Sequence, residues 1–276
     1  MIYIIGSEGF LGKKITKILD KKKLIRISTK KGNKFIKTDI FSNIKRKKNE
    51  KWIKKIKEND IILLLSNVGS IDFSDKYPNK ILNFEKQLER NFLSKISKKF
   101  KIIFFSSDMV YSGKKKYYSD NSISKPLNNY GRSKKRIENK IKKYFKKYLI
   151  LRISKIYSKD LKDKTIYSDI IKKLQKKQNM LLFNNQYVHY LDLRDFLICL
   201  KKIIKKLNKI NGTYNIPGKF FTTRYQFARK ISFKKKLNNK YILPINFKKI
   251  KLNLPERLKM KTKLFSKINY FPKYNV

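Results

Sequence analysis

The chain has 276 residues, 41% of them hydrophobic, enough for a sizeable core in about one or two domains. Its 72 Lys and Arg against 19 Asp and Glu give a formal net charge of +53, but the cations run from Lys13 to Lys273 rather than gathering in one stripe or tail. That spread argues against a dedicated nucleic-acid surface and leaves only nonspecific attraction of polyanions at low salt. The single Cys199 excludes an intrachain disulfide, and the single His189 excludes a multi-histidine metal site. No run approaches the roughly 18 apolar residues of a membrane span. The N-terminus enters an apolar strand with no basic region or cleavage site, so a soluble cytoplasmic protein without membrane association is expected. Lys, Ile, Asn, Phe and Tyr abound while Ala occurs once, at Ala228; this is the composition of an AT-rich coding sequence whose solvent-facing positions have become lysine.

In chain order, Ile2–Ile5 reads as a strand and Phe10–Leu19 as a helix. Leu24–Ser28 is a second strand and Ile61–Leu65 a third. A helix is expected over Ile81–Lys98 and a strand over Lys101–Ser106. Ser133–Tyr148 reads as a long helix with Ile137, Ile141, Tyr144, Phe145 and Tyr148 on one face. Tyr148–Ile153 is the next strand. Alternation of this kind predicts an α/β fold, a Rossmann-like doubly wound parallel sheet covered on both faces. Beyond Asp160 the rhythm loosens: Thr165–Lys177, Leu193–Leu207 and Tyr225–Phe233 look helical, and Asn211–Gly218 reads as a turn, a short strand and a stop. The expected division is a dinucleotide-binding domain over 1–159 and a smaller C-terminal substrate-binding region over 160–276, interleaved with the first.

Gly6, Gly9 and Gly12 follow the first strand and open the first helix. A dinucleotide pyrophosphate needs that arrangement: a tight turn, a backbone without side chains in the way, and helix N–H groups facing the anion. The spacing is G-x-x-G-x-x-G, with Phe10 and Leu11 inside it. An NAD site typically has an acidic residue at the end of the second strand. Here the chain reads Arg26-Ile27-Ser28-Thr29-Lys30-Lys31, and hydroxyls with cations suit a 2′-phosphate. NADP(H) is therefore favoured over NAD(H), with Thr29 and Lys30 as its contacts.

Tyr130 and Lys134 stand at Y-x-x-x-K spacing, one turn apart on one helix face. An unperturbed tyrosine titrates near 10, and a neighbouring ammonium is expected to lower it toward the range useful for proton transfer. Ser107 ends a buried strand, where ligand sites of open α/β sheets lie, and its hydroxyl suits a substrate carbonyl. Cys199, set in Phe196-Leu197-Ile198-Cys199-Leu200, reads as helix core rather than as a reactive thiol.

The segments Ser106-Ser107-Asp108-Met109-Val110-Tyr111 and Pro126-Leu127-Asn128-Asn129-Tyr130-Gly131-Arg132-Ser133-Lys134 resemble those of the extended short-chain dehydrogenase/reductases. The likeness is greatest to the dTDP-4-dehydrorhamnose reductases and related sugar-nucleotide reductases. The resemblance implies a catalytic triad of Ser107, Tyr130 and Lys134 and hydride transfer from NAD(P)H to a keto carbon of a nucleotide-linked sugar. Tyr130 would protonate the developing alkoxide, Ser107 would hold that oxygen, and Lys134 would also bind the nicotinamide ribose. Asp39-Ile40 resembles the acidic–aliphatic pair beside the adenine, and Leu65-Ser66 stands where small residues line the cofactor. The family's segment beneath the sugar becomes Ser66-Asn67-Val68-Gly69-Ser70, and Lys155 replaces a frequent tryptophan, so the particular sugar is left open. Three other readings stay open: an NAD-dependent nucleotide-sugar epimerase or dehydratase, with Asp108 available as an extra acid, a non-catalytic dinucleotide sensor, and a nucleic-acid-binding role. The oligomeric state is open as well, a homodimer included.

Overall fold

A computed structural model describes residues 1–28, 36–37, 52–66, 69–96, 100–247 and 253–276. The chain divides into two units. The first comprises 1–110, 128–152 and 206–213, and the second comprises 111–127, 153–205 and 214–276.

The first unit opens on β1 (Ile2–Ile5), followed by α1 (Phe10–Ile18), β2 (Leu24–Ser28), β3 (Ile36–Lys37) and β4 (Ile61–Leu64). Then come α2 (Ile71–Lys76), α3 (Pro78–Leu88), β5 (Lys101–Ser107), α4 (Asn129–Tyr144) and β6 (Lys147–Ile153). These strands run in the order β6-β5-β4-β1-β2-β3 within a seven-stranded sheet. β1 pairs in parallel with both β2 and β4, Ile4 lying between Arg26 and Leu63, and β4 pairs in parallel with β5. Chain order reverses across β1 and β4, and an open sheet of this kind takes its ligand at the carboxyl ends of those two strands. Ile62, Leu63 and Leu64 of β4 and Ile102, Ile103 and Phe104 of β5 have no exposed surface, as strands covered on both faces require. A cluster including Ile5, Ile27, Trp52, Phe92, Phe104, Ile137 and Ile141 packs against the sheet.

The parallel doubly wound sheet matches the expectation, and the differences are local. The helix expected over 81–98 starts earlier, at Pro78, because proline at the first helical position gives up an N–H that would have no partner there. It ends at Leu88 and continues as a π-helical turn over Glu89–Leu93. Helix α2 was not anticipated; the Ser70 side chain caps it by accepting from Phe73 N at 3.2 Å. Helix α4 runs four residues ahead of its expected register. Asn128 caps it, accepting from Gly131 N at 2.8 Å, which brings Tyr130 into the first turn. Phe145 keeps the apolar spacing and is buried, but its backbone is extended, and Tyr148 belongs to β6.

The second unit holds β7 (Lys155–Tyr157), α5 (Ile166–Gln175), β8 (Met180–Phe183), β9 (Tyr187–Asp192) and α6 (Leu193–Lys205). After β10 (Gly212–Ile216) come β11 (Phe220–Thr223), α7 (Arg224–Lys234), β12 (Ile242–Ile245), β13 (Arg257–Leu258) and α8 (Leu264–Ile268). β9 is the hub of a four-stranded sheet, with β11 antiparallel on one side and β7 and β13 parallel to it. Tyr111 Oη donates to Asn215 Oδ1 at 2.8 Å, fastening 111–127 to the rest of this unit. Asp195, fully buried, accepts from Tyr270 Oη at 2.7 Å and from Tyr274 N at 3.0 Å and so ties down the C-terminal segment. Arg194 is spent on Asp192, at 2.9 and 2.8 Å, and its guanidinium lies 4.0 Å from the Tyr274 ring centroid. Cys199 is buried, and burial pushes its thiol up to about 12, so it is an inert core side chain as expected.

Candidate active site

The first element of the site is the loop between β1 and α1. Gly6 has φ +90°, a conformation that only glycine adopts without strain. Its N–H donates to Ile27 O at 3.1 Å, which holds the loop against β2. A β-carbon on Gly6 would lie 3.0 Å from Ser66 N and 3.1 Å from Ser66 Oγ. A β-carbon on Gly12 would lie 2.3 Å from Gly6 O and 2.7 Å from Ser7 C, both backbone atoms that cannot give way. Helix α1 has no side-chain cap at Gly9, and its first turn carries no acidic residue. Its ladder starts with Lys13 N donating to Gly9 O at 3.0 Å, so the N–H groups of Phe10, Leu11 and Gly12 precede the first intrahelical donor. This is a tightly packed glycine turn at the positive end of a helix, and it fits the pyrophosphate of a dinucleotide.

Leu65 and Ser66 follow β4 and lie beside this loop: Leu65 N donates to Ile5 O at 3.0 Å, and both residues are half-buried. Gly6, Gly9, Phe10, Leu11, Gly12, Leu65 and Ser66 are thus brought to the ends of β1 and β4. The expected contacts Thr29, Lys30, Asp39 and Ile40 lie outside the described residues. Arg26, on β2, forms an ion pair with Glu8 of the glycine loop.

The second element is the facing of β5 and α4. Two successive residues at the end of β5 are hydrogen-bonded to this helix, and the next lies near its first turn. Phe105 O accepts from Lys134 Nζ at 2.9 Å. Ser106 Oγ donates to Glu138 Oε1 at 2.6 Å. Ser107, half-buried, lies near the Tyr130 phenol and favours its ionised form. Ser107 Oγ also donates to Asp108 Oδ1 at 3.1 Å and accepts from Met109 N at 3.2 Å. Tyr130, Lys134 and Glu138 recur every four residues and so share one face of the helix. The Lys134 ammonium lies 5.7 Å from the Tyr130 ring centroid and 4.9 Å from that of Phe104. Lys134 thus lies beside the Tyr130 ring on α4, and Ser107 ends the adjoining strand β5.

The electrostatics differ from the expectation. Desolvation, with Asp108 nearby, raises the Tyr130 phenol to about 12, and the Ser107 hydroxyl offsets only part of this. Lys134 is 4% exposed; desolvation lowers it to about 8, against the opposing pull of Glu138. The ammonium therefore does not bring the phenol below its ordinary value in this structure, because burial acts on both groups and outweighs their attraction.

Sequence reasoning passed over Glu138 and Arg152. Arg152 Nη2 donates to Glu138 Oε2 at 2.7 Å and Nε to Oε1 at 3.1 Å, and both residues are buried. The available signal was that Glu138 is the sole carboxylate in α4, a helix otherwise crowded with cations. Among the described residues no group of three or more His, Cys, Asp or Glu could hold a metal ion, and no helix is long and apolar enough to cross a membrane.

Solved structures share this architecture across nearly the whole chain. A dTDP-4-dehydrorhamnose reductase from Bacillus anthracis, in complex with NADP, superposes with a TM-score of 0.78 at 18% identity, covering 98% of this chain and 93% of its own. A hypothetical dTDP-4-dehydrorhamnose reductase from Sulfolobus tokodaii gives 0.78 at 20% identity, covering 97% and 93%. A UDP-glucose 4-epimerase from Thermotoga maritima, with UDP-glucose, gives 0.76 at 16% identity, covering 99% and 94%. No curated protein sequence matches the chain. The RmlD substrate binding domain model matches residues 1–273, and the expectation raised by the Ser106–Tyr111 and Pro126–Lys134 motifs is met: the chain belongs to that family.

Proposed function

We propose that this protein is an NAD(P)-dependent reductase acting on the keto group of a nucleotide-linked sugar. One observation carries the reading: Lys134 lies beside the Tyr130 ring on α4 and Ser107 ends the adjoining β5, in the same unit as a tightly packed glycine turn. Membership of the RmlD family and the likeness to dTDP-4-dehydrorhamnose reductases support it.

Gly6, Gly9, Phe10, Leu11 and Gly12 hold the pyrophosphate through backbone N–H groups, and Leu65 and Ser66 line the dinucleotide beside them. Thr29 and Lys30 take a 2′-phosphate, which makes NADPH the preferred cofactor, and Asp39 and Ile40 flank the adenine. When bound, the reduced nicotinamide supplies the hydride. Ser107 Oγ orients the keto oxygen, and Tyr130 Oη passes its proton to that oxygen as negative charge develops on it. Lys134 Nζ, fixed by Phe105 O, binds the nicotinamide ribose and stabilises the phenolate left behind. A phenol held at about 12 is fully protonated near neutrality. It is available as the proton donor that reduction requires.

The test is a panel of keto-sugar nucleotides with NADPH or NADH, followed by loss of absorbance of the reduced nicotinamide. Net oxidation with at least one 4-keto-sugar nucleotide, faster with NADPH, is expected. Turnover of a nucleotide sugar without net cofactor oxidation would replace the reductase with an epimerase or dehydratase. A clear NADH preference would overturn the assignment of Thr29 and Lys30.

A further inference from the structure

Behind the residues assigned to the reacting groups, α4 and β5 share a tie that is almost fully withdrawn from solvent. Glu138 is 1% exposed, Arg152 4% and Ser106 5%. One Glu138 oxygen accepts from Ser106 Oγ at 2.6 Å and Arg152 Nε at 3.1 Å, and the other from Arg152 Nη2 at 2.7 Å. Ser106 adjoins Ser107 on β5, Glu138 is one turn beyond Lys134, and Arg152 belongs to β6. One carboxylate therefore joins the strand that carries the hydroxyl, the helix that carries the phenol and ammonium, and the next strand of the sheet.

We propose that Glu138 is a positioning residue for the reaction: clamped by Arg152, it fixes the end of β5 against α4 and holds Lys134 as an ammonium within an otherwise desolvating site. The reaction half of this statement rests on the reductase reading; the ammonium half does not.

The burial cost explains why such a device is needed. A buried ammonium is expensive, and an isolated one loses its proton. Lys134 faces a carbonyl oxygen, the Phe104 ring and the Tyr130 ring, and the acid that counters its loss of charge is Glu138. Asp108, the other carboxylate at this end of β5, acts on Tyr130. Arg152 prevents Glu138 from being a lone buried anion, and the fork geometry of a guanidinium suits both of its oxygens.

The test reads Lys134 directly. Reductive methylation by formaldehyde across a pH series, followed by peptide mass spectrometry, gives the midpoint at which Lys134 becomes nucleophilic, with no substrate present. Glu138→Gln keeps the size of the side chain and removes its charge. It should move that midpoint down by about one pH unit. Turnover at pH 8 should fall about fivefold, the loss in ammonium when a midpoint of 8 becomes 7. Glu138→Asp should restore most of both. If Glu138→Gln does not fold, Arg152→Gln, which keeps the carboxylate and removes its cation, should instead move the midpoint up. An unmoved midpoint overturns the role of Glu138 whatever the substrate. A shifted midpoint with unchanged kcat and KM across pH overturns its part in the reaction. Wild-type protein that oxidises NADPH with no keto-sugar nucleotide overturns the reductase reading alone, since the labelling result stands without turnover.

Discussion

Replacing Lys134 with methionine removes a charge that the fold holds at a cost, and the cost has a calculable pH dependence. Lysine ordinarily titrates near 10.5, and burial lowers Lys134 to about 8. The difference of about 2.5 units corresponds to roughly 3 kcal/mol at 1.36 kcal/mol per unit. Between pH 8 and 10.5 the unfolded chain binds more protons at this position than the folded one, so folding stability rises with pH in that window. Below pH 8 both states are charged and the full penalty applies; above 10.5 both are neutral and it vanishes. The other lysines titrate too, but they are common to both proteins and cancel in the difference. Urea unfolding of wild type and Lys134→Met at pH 7 to 11 should therefore show wild type gaining about 3 kcal/mol on the variant as pH rises. The absolute offset is smaller than this figure, because methionine abandons the bond to Phe105 O, worth about 1 kcal/mol or more. A pH-independent difference, or a loss by wild type as pH rises, would refute the claim that Lys134 is a desolvated ammonium.

Three further outcomes follow from the same geometry. Gly12→Ala should lose the rise in melting temperature that NADPH gives wild type, because its β-carbon would meet Gly6 O at 2.3 Å and open the glycine turn; an undiminished shift would contradict the loop assignment. Asn128→Ala should lower stability by about 1–2 kcal/mol in urea unfolding, since a buried cap bonded at 2.8 Å is lost at the start of α4. It should also reduce turnover by loosening Tyr130, and unaffected kcat would show that the first turn is held by other means. Binding to heparin should be measurable at low salt and vanish at moderate salt; salt-resistant, sequence-dependent binding of a nucleic acid would restore the partner that the dispersed charge argues against.

What the sequence discloses here is what is local. Gly6, Gly9 and Gly12 lie within one turn of a strand and a helix, and Tyr130 and Lys134 within one turn of a helix. Their spacing alone places them together. The alternation of apolar runs similarly announced a parallel sheet. Register was harder: Phe145 and Tyr148 keep the helical period of Ile137 and Ile141, yet one closes the helix in extended conformation and the other opens β6. Periodicity cannot distinguish the last turn of a helix from the strand that follows. The ties between β5 and α4 were illegible for a different reason. Ser106 and Glu138 are 32 residues apart, and only the folded sheet sets them face to face. The Tyr130 phenol shows the same limit. Spacing revealed its cation but not the burial that overrides it, since desolvation belongs to the packed site and not to any motif.

The measurement that bears most directly on the central claim is turnover by Tyr130→Phe, with NADPH affinity determined on the same sample. Loss of the hydroxyl proposed to protonate the sugar alkoxide should cut kcat by about 10²-fold or more while NADPH binds nearly as in wild type, because the glycine loop is untouched. A variant that keeps near-normal turnover would show that the proton comes from elsewhere and that the assembly of Ser107, Tyr130 and Lys134 is not the reacting site.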